Sequence, residues 1–572
     1  MYSYLKIILI FILFSVLTFY YTWPLLPNIS TGFITTIGEG DSPIPLWNAY
    51  IFKHELLTYS NPFYTNEVFY PVKTNLWMHG YMPAMCLFTY TFNNLFLGIN
   101  IYLMLHFIFS ALGAYLLSYK LTNNTILSIL VGIAFSFSAY KLLRLTEHYM
   151  LVLTATIPFY IMSFMNAFTF IKGKFFPIIQ SKKYLLICLL LGIFTGLNDY
   201  YSTFYLIYFS ISWLIYYKII FYWAKWHIKK RIILLVLFFI SMHLIIEPLI
   251  HYGFDDRGGV WWGGDLLAYF IPNANSFLSN RESFSSLFPT LFAHDPNIEF
   301  QQFLGYSMIL ILLYILYRLV KNNTPSTAGV WLFILLVCVL ISLPAIKFNS
   351  FRIIYAPTAI LHFLPFFNNI RCNTRIELLI TLLLPLSFAI LLVNSTFNKG
   401  INWIGIGLII FMLIDLKANP YLILSSKDAP LIIQNIYSSN NKILTPIPTG
   451  ISDGLTKDGN FETKQLFYQS IHQKKITGGY ISRIPKETFR LYKSDTIMHT
   501  ILKLSIDKNY IYPTFDTESV GNYFKIFQTD MFLIDPLYRN TNAEKFILTL
   551  VENKKIKKVE INGYLLISII NK

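Results

Sequence analysis

Charge is what this sequence has least of. Of its 572 residues only 13% are Asp, Glu, Lys or Arg, against about 25% in an ordinary soluble chain, and 55% are hydrophobic. The deficit is uneven. Apolar runs of membrane-spanning length recur over residues 1–418, whereas 419–572 reads as soluble protein. The run 232–250 carries one charged residue, Glu247, near its far end. Core helices of soluble proteins are seldom apolar all round for so long. A wholly soluble fold is thereby excluded.

Cysteine is scarce as well. Cys86, Cys188, Cys338 and Cys372 are the four, and no pair has metal-ligand spacing, so neither a zinc site nor a disulfide framework is indicated. No glycine-rich phosphate loop precedes a helix, and Gly478-Gly479 reads as a turn. No small-residue cleavage site stands before Trp23-Pro24, so the first apolar run is expected to stay as a span rather than leave as a signal peptide.

What the sequence does have is basic charge in short loops. The formal net charge is +16. Much of it lies between apolar runs: Lys172 and Lys174, Lys182 and Lys183, the cluster 225–231, and Arg318 with Lys321. Cytoplasmic loops of membrane proteins collect Lys and Arg in this way. The charge is therefore assigned to topology, and no nucleic-acid partner is expected.

A span needs about 20 apolar residues. The runs 5–26, 100–120, 124–142, 149–171, 184–198, 201–222, 232–250, 303–320, 329–344, 376–395 and 401–416 give about eleven. The apolar segment 83–97 is too short to be clear. If it crossed, the cluster 225–231 would face outward; if it only dips into the interface, all the basic loops fall in the cytoplasm. The second arrangement is the expected one. It places the long loops 28–99, 251–302 and 345–375, and the tail 419–572, at the outer face. The expected fold is an α-helical polytopic membrane domain, 1–418, followed by an extracytoplasmic soluble α/β domain, 419–572. In the tail, strand-like runs at 443–447, 531–535 and 564–570 alternate with helix-like stretches at 488–505 and 543–552.

Chemistry is then expected at the outer face. Glu39 and Asp41 flank Gly40 just after the first span. Such a pair can deprotonate an acceptor hydroxyl or hold a divalent cation. Equally, Asp41 or Ser42 can cap a helix beginning near Pro43. Asn61-Pro62-Phe63-Tyr64, Tyr70-Pro71, Trp77 and His79 suit a rigid interfacial loop, with His79 also available to a site. Arg144, Glu147 and His148 follow the third span, and Asp199-Tyr200-Tyr201 separates two others. Ionisable groups at such depth face a cavity or a partner. An Arg144–Asp199 ion pair is the structural alternative. Asp255, Asp256, Arg257, Asp265 and Glu299 lie in the loop 251–302, and Arg352, Arg371 and Arg375 precede the span at 376. Arginines at an outer rim can hold phosphate through paired hydrogen bonds or snorkel to lipid headgroups.

In order and spacing these segments resemble the GT-C superfamily, integral membrane glycosyltransferases that use polyprenyl-phosphate-linked sugars. Within it they look like a bacterial branch labelled YfhO-like. The resemblance runs through Gly40-Asp41 with Trp47, Asn61-Pro62-Phe63-Tyr64, Phe69-Tyr70-Pro71, Arg144…His148, Asp199-Tyr200-Tyr201, Asp265-Leu266-Leu267, Leu364-Pro365-Phe366-Phe367…Arg371, and His472…Thr477-Gly478-Gly479-Tyr480. Glu147 stands where a glycine is common. The resemblance implies Asp41 as the base or metal ligand, with Glu39 beside it and Mg or Mn as the cation. It implies a substrate site drawn from His79, Arg144, His148, Asp199, Tyr200, Arg257, Asp265, Arg371 and Arg375. The implied reaction is an inverting hexosyl or pentosyl transfer from a polyprenyl-phosphate sugar to a glycan, lipid or protein acceptor outside the bacterial cytoplasmic membrane. A flippase or assembly factor for surface polysaccharide is the non-catalytic alternative, and a degenerate transferase that only binds is a third. Few charges inside the spans speak against a transporter of charged solutes.

Overall fold

The helices are signalled at their starts. Asn124, Ser138, Ser181 and Asp199 stand just before helices Thr125–Ser136, Ala139–Arg144, Lys182–Gly196 and Tyr200–Ile215, and each side chain accepts a bond from a first-turn backbone N–H. Such a cap satisfies one of the donors a helix leaves open and contributes ~1 kcal/mol. The computed structural model describes residues 4–35, 41–170, 176–220, 228–251, 263–273, 276–278, 298–321, 324–364, 367, 370–395 and 400–570. The chain forms two compact units: Met1–Trp23 with Leu103–Tyr421, and Pro24–Tyr102 with Leu422–Lys572.

The first unit is helical. Each expected span holds helix. Among the described residues four helices are long and apolar enough to cross a membrane: Tyr4–Tyr21, Leu95–Thr122, Thr125–Arg144 and Asn373–Val393. Several of the others, such as Tyr306–Val320 and Ile401–Asp415, are apolar but shorter. The chain is a membrane protein. Its apolar faces are of two kinds. Helix Tyr4–Tyr21 buries only Ile10, Phe14, Leu17, Thr18 and Tyr21, a stripe at helical spacing, and leaves Leu5, Ile8, Leu9, Ile12 and Val16 exposed. An uncovered apolar face of that size suits lipid. In helix Glu377–Val393, by contrast, every side chain from Glu377 to Leu392 is buried. Helices Thr125–Ser136, Tyr306–Val320 and Ser326–Ser342 pack around it.

One expected span is interrupted. Over 149–171 a 3₁₀ turn, Tyr149–Val152, precedes a helix that starts only at Thr156, and Phe168–Thr169 then pairs as a short strand with Ile178–Ile179. Pro158 has no N–H to give to an earlier turn, so a helix starts beside it more readily than it runs through it.

The second unit holds the α/β tail. Its five-stranded sheet runs in the order Lys475–Ile476, Ile443–Ile447, Met531–Ile534, Tyr564–Ile569, Ile556–Ile561. The first three strands are parallel and the last two pairings antiparallel. Ile443–Ile447 and Met531–Ile534 are buried along their whole length, as inner strands covered on both faces must be. The expected helix at 488–505 is two helices, because Asp495 ends one and caps the next through Met498 N.

The tail shares its unit with an earlier part of the chain. Residues 24–102, which take in the expected loop 28–99, belong to the same unit. Gly32–Ile34 pairs antiparallel with Ile423–Ser425. Helix Ile44–Leu57 packs on helices Lys464–His472 and Pro83–Tyr90. The buried Trp47 donates through Nε1 to Gln469 Oε1 at 2.7 Å, and Gln469 donates on to the Glu67 carbonyl at 2.6 Å. Phe69 N donates to Gly478 O at 2.9 Å. At Gly479 a Cβ would stand 3.0 Å from Val68 and 3.1 Å from Phe69, which is why glycine fits this turn. Helix Pro83–Tyr90 has 8 residues, about 12 Å, too short for a hydrocarbon layer of ~30 Å.

Candidate functional site

In the helical unit, three side chains from two distant stretches of the chain meet on one carboxylate. Glu299 stands in the 3₁₀ turn Ile298–Phe300 and is 4% exposed. Arg375, in the turn Asn373–Ile376 that leads into the buried helix, grips it with two nitrogens: Nε lies 3.1 Å from Oε1, and Nη2 also donates to Oε1, at 2.5 Å. Arg144, the last residue of helix Ala139–Arg144, brings Nη1 to 3.1 Å of Oε2. His148 brings Nε2 to 3.3 Å of Oε1. Tyr140 and Tyr201 back the two guanidinium groups with their rings, at 5.1 Å from Arg144 and 4.6 Å from Arg375.

The electrostatics follow from this packing. Burial alone would raise the Glu299 carboxyl, but Arg144, Arg375 and His148 outweigh it and hold the group well below the usual carboxylate range. Burial pushes the His148 imidazole down to about 3, against the pull of Glu299. Two arginines against one glutamate leave a surplus positive charge in a buried place. In the same unit, helices Tyr306–Val320, Ser326–Ser342 and Glu377–Val393 line an apolar cavity of about 490 Å³. Tyr269, Leu304, Ile380 and Leu384 line one side of it, and Ile380 sits one turn beyond Glu377.

The second unit holds Asp41. Its Oδ1 accepts from the Tyr480 hydroxyl at 2.9 Å. Helix Ile44–Leu57 begins without any side-chain cap, so Asp41 and Ser42 are not caps. His79 is buried beside Trp47, its Nδ1 accepts from Ser482 N at 3.2 Å, and burial pushes it down to about 3. Its Nε2 is buried without a hydrogen-bond partner.

Other expected site residues have different work. Asp199 does not pair with Arg144. It caps helix Tyr200–Ile215 by accepting from Ser202 N and Oγ, each at 2.7 Å, and burial raises its carboxyl. Asp265 caps the turn Leu266–Tyr269 and also accepts from Asn349 N and Ser350 N at 3.2 and 2.7 Å, holding a loop together. Tyr200 is 43% exposed. Arg371 is partly buried, one turn of chain before Arg375. Glu39 and Arg257 lie outside the described residues. Among the described residues no three His, Cys, Asp or Glu gather as a metal site.

A family model described as a domain of unknown function (DUF6311) matches residues 9–417, well over half of the chain. The chain belongs to this family. The match takes in Asp41 and all four residues of the Glu299 cluster. None of the curated proteins matches.

Glu299 and Tyr201 were the residues a reading of the sequence undervalued. Glu299 stood out only as the acid that ends a long loop. A signal was nonetheless present: it is one of few acids near spans that hold buried-end arginines, and a buried arginine requires an acid.

Proposed function

We propose that the protein is a membrane glycosyltransferase of the outer face of the bacterial cytoplasmic membrane, moving a sugar from a polyprenyl-phosphate donor to a glycan, lipid or protein acceptor. The observation that carries the reading is the pairing, within one unit, of a surplus arginine charge with an apolar cavity. An anion bearing a long apolar chain suits both. Arg375 and Arg144, with Arg371 nearby in sequence, are the proposed phosphate residues, and the cavity takes part of the chain. Asp41 is the proposed base. The transfer forms a bond from the acceptor oxygen to the anomeric carbon, breaks the bond from that carbon to phosphate oxygen, and passes the acceptor proton to Asp41. Inversion follows from one such displacement. No step is routed through a cation.

About eleven spans and an outward tail complete the proposal. The eight-residue helix Pro83–Tyr90 supports it, because a segment too short to cross leaves the basic loops on one side. Cysteines placed at Lys229 and Lys457, in a chain without native cysteines, test it in intact cells: an impermeant thiol reagent should label the second only. The alternative of a flippase draws on Lys141, which is fully buried in a span with Ser110 and Thr154 as its partners at 3.2 and 2.8 Å. Flipping of a lipid-linked sugar in proteoliposomes without any transfer would favour it.

Asp41→Asn decides the catalytic role. Asn can still accept from Tyr480, so the variant should melt like the parent. As a base, its loss should slow transfer by roughly 10²–10⁴-fold. Stable protein with near-normal transfer would sink the assignment.

A further inference from the structure

The turn 477–480 of the tail ends at the hydroxyl that donates to Asp41. Its course is fixed residue by residue. Thr477 N, just past the edge strand Lys475–Ile476, donates to Leu444 O at 3.0 Å. At Gly478 the backbone is left-handed, with φ at 81°, and a Cβ would stand 2.5 Å from Gly450 O, so glycine alone fits. Gly478 N donates to the Tyr492 hydroxyl, and that hydroxyl donates to Tyr70 O, each at 2.9 Å. Gly479 and Tyr480 then run parallel to Ile451 and Ser452. The pairing continues past Tyr480: Ile481 N donates to Ser452 O, and Gly454 N to Ser482 O, each at 3.3 Å. In an extended segment Tyr480 and Ser482 share a face. There both meet the earlier part of the unit, Tyr480 at Asp41 and Ser482 at His79, whose Nδ1 lies 3.2 Å from Ser482 Oγ.

Capping would have oriented the Asp41 carboxylate, but helix Ile44–Leu57 takes no side-chain cap. A hydroxyl 439 residues further along the chain bonds it instead, at 2.9 Å. That hydroxyl is carried on a fixed turn and strand, so it draws the carboxylate toward one orientation. A base works only where its oxygen meets the acceptor proton, and a misplacement of about 1 Å can cost about 10²-fold. We propose that Tyr480 is a positioning residue for Asp41, so that the tail completes the base that the first loop supplies. The assignment rests on the transfer reading and adds to it that the domain 419–572 belongs to the catalytic machinery. The choice of side chain suits the task. A lysine or arginine in this place would orient the carboxylate but also hold down its basicity through a full opposite charge. A neutral hydroxyl donor orients it with a smaller loss of basicity.

Steady-state turnover of the purified full chain in detergent tests this. The donors are the polyprenyl-phosphate esters of glucose, galactose, mannose and arabinose, the acceptor is methyl glucoside, and the readout is release of polyprenyl phosphate from the best donor. No release by the parent from any of them would sink the transfer reading and this assignment together. Tyr480→Phe keeps the ring and loses the hydroxyl. It should lower kcat by roughly 10–100-fold, the loss of one hydrogen bond to a charged group, and leave KM for donor and acceptor unchanged. Starting from Asp41→Asn, where no base remains to be placed, the same substitution should slow the residual release by less than about twofold. Equal losses in both backgrounds would show that Tyr480 acts through the fold, since a folding defect is carried into both, and would overturn the assignment. A normal kcat for Tyr480→Phe beside an inactive Asp41→Asn would overturn it too, while leaving Asp41 as the base. Near-normal release by Asp41→Asn itself would remove the base and, with it, the role of the residue that positions it.

Discussion

Glu299 and Glu67 are carboxylates almost closed to solvent, one in each unit, with side chains 5% and 4% exposed. Around Glu299 the partners are closed too: Arg144 is 0% and Arg375 9% exposed. Around Glu67 they are open. His54 and Lys475 are each 33% exposed and stand at 3.5 and 3.7 Å. The acids are alike, so the difference lies in what replaces the partner when a contact breaks. Water can solvate His54 and Lys475. Nothing solvates Arg144 or Arg375, and their charges are stranded if Glu299 is lost. The first cluster is one in which no member can be removed cheaply; the second tolerates loss.

Breaking the buried cluster should give the largest effect. Glu299→Ala leaves two buried arginines against no acid and should cost about 3–5 kcal/mol, seen as the deepest fall in melting midpoint of any variant in this series. A midpoint near the parent's would show that water reaches the cluster. Arg375→Lys comes next. The charge stays but the two-nitrogen grip on Glu299 goes, so a loss of about 1–3 kcal/mol is expected by the same assay. The smallest effect lies at Glu67, where Lys475→Ala should change the midpoint by no more than about 1 kcal/mol in equivalent stability.

Titration separates the clusters further. The Glu299 carboxyl is held below its usual value in the fold, so its contribution is present above the unfolded value, about 4.3, and is lost only as pH falls through the lower folded value. His54 goes the other way. Its hydrogen bond with Glu67 raises it against burial, with Glu55 adding to the rise and Lys475 opposing it. Its contribution is therefore present below about pH 6.5 and is lost as pH rises through the raised folded value. Solvent screening keeps it to about 1 kcal/mol or less. Melting of wild type and His54→Gln should differ at pH ~6 and converge at pH ~9. A gap that persists at the higher pH would show that His54 acts by shape rather than by charge.

Much of the architecture is written locally. Apolar runs with caps such as Asn124 and Ser181 mark helices, and the strand at 531–534 announces itself as an unbroken apolar stretch. Asp199 was read as a site residue or an ion-pair partner, although an Asp just before a helix start is also a cap signature, and the cap is what it forms. What stays hidden is long-range. Nothing local says that Glu299 meets residues 144, 148 and 375, because each contact joins segments that carry no shared period. The same holds for Gly32–Ile34, whose three residues are too few to show alternation and whose partner lies at the other end of the chain.

That last pairing sets a clock on biosynthesis. Gly32 emerges from the ribosome nearly 400 residues ahead of Ser425, its partner in register. At ~5–20 residues per second the wait is on the order of tens of seconds. Trp47 waits longer still for Gln469. For that interval the leading segment has an unsatisfied strand edge and an uncovered tryptophan. A chain stopped near residue 421 leaves it in that condition for good. Nascent chains of graded length should therefore keep 24–102 open to protease until the tail has been made.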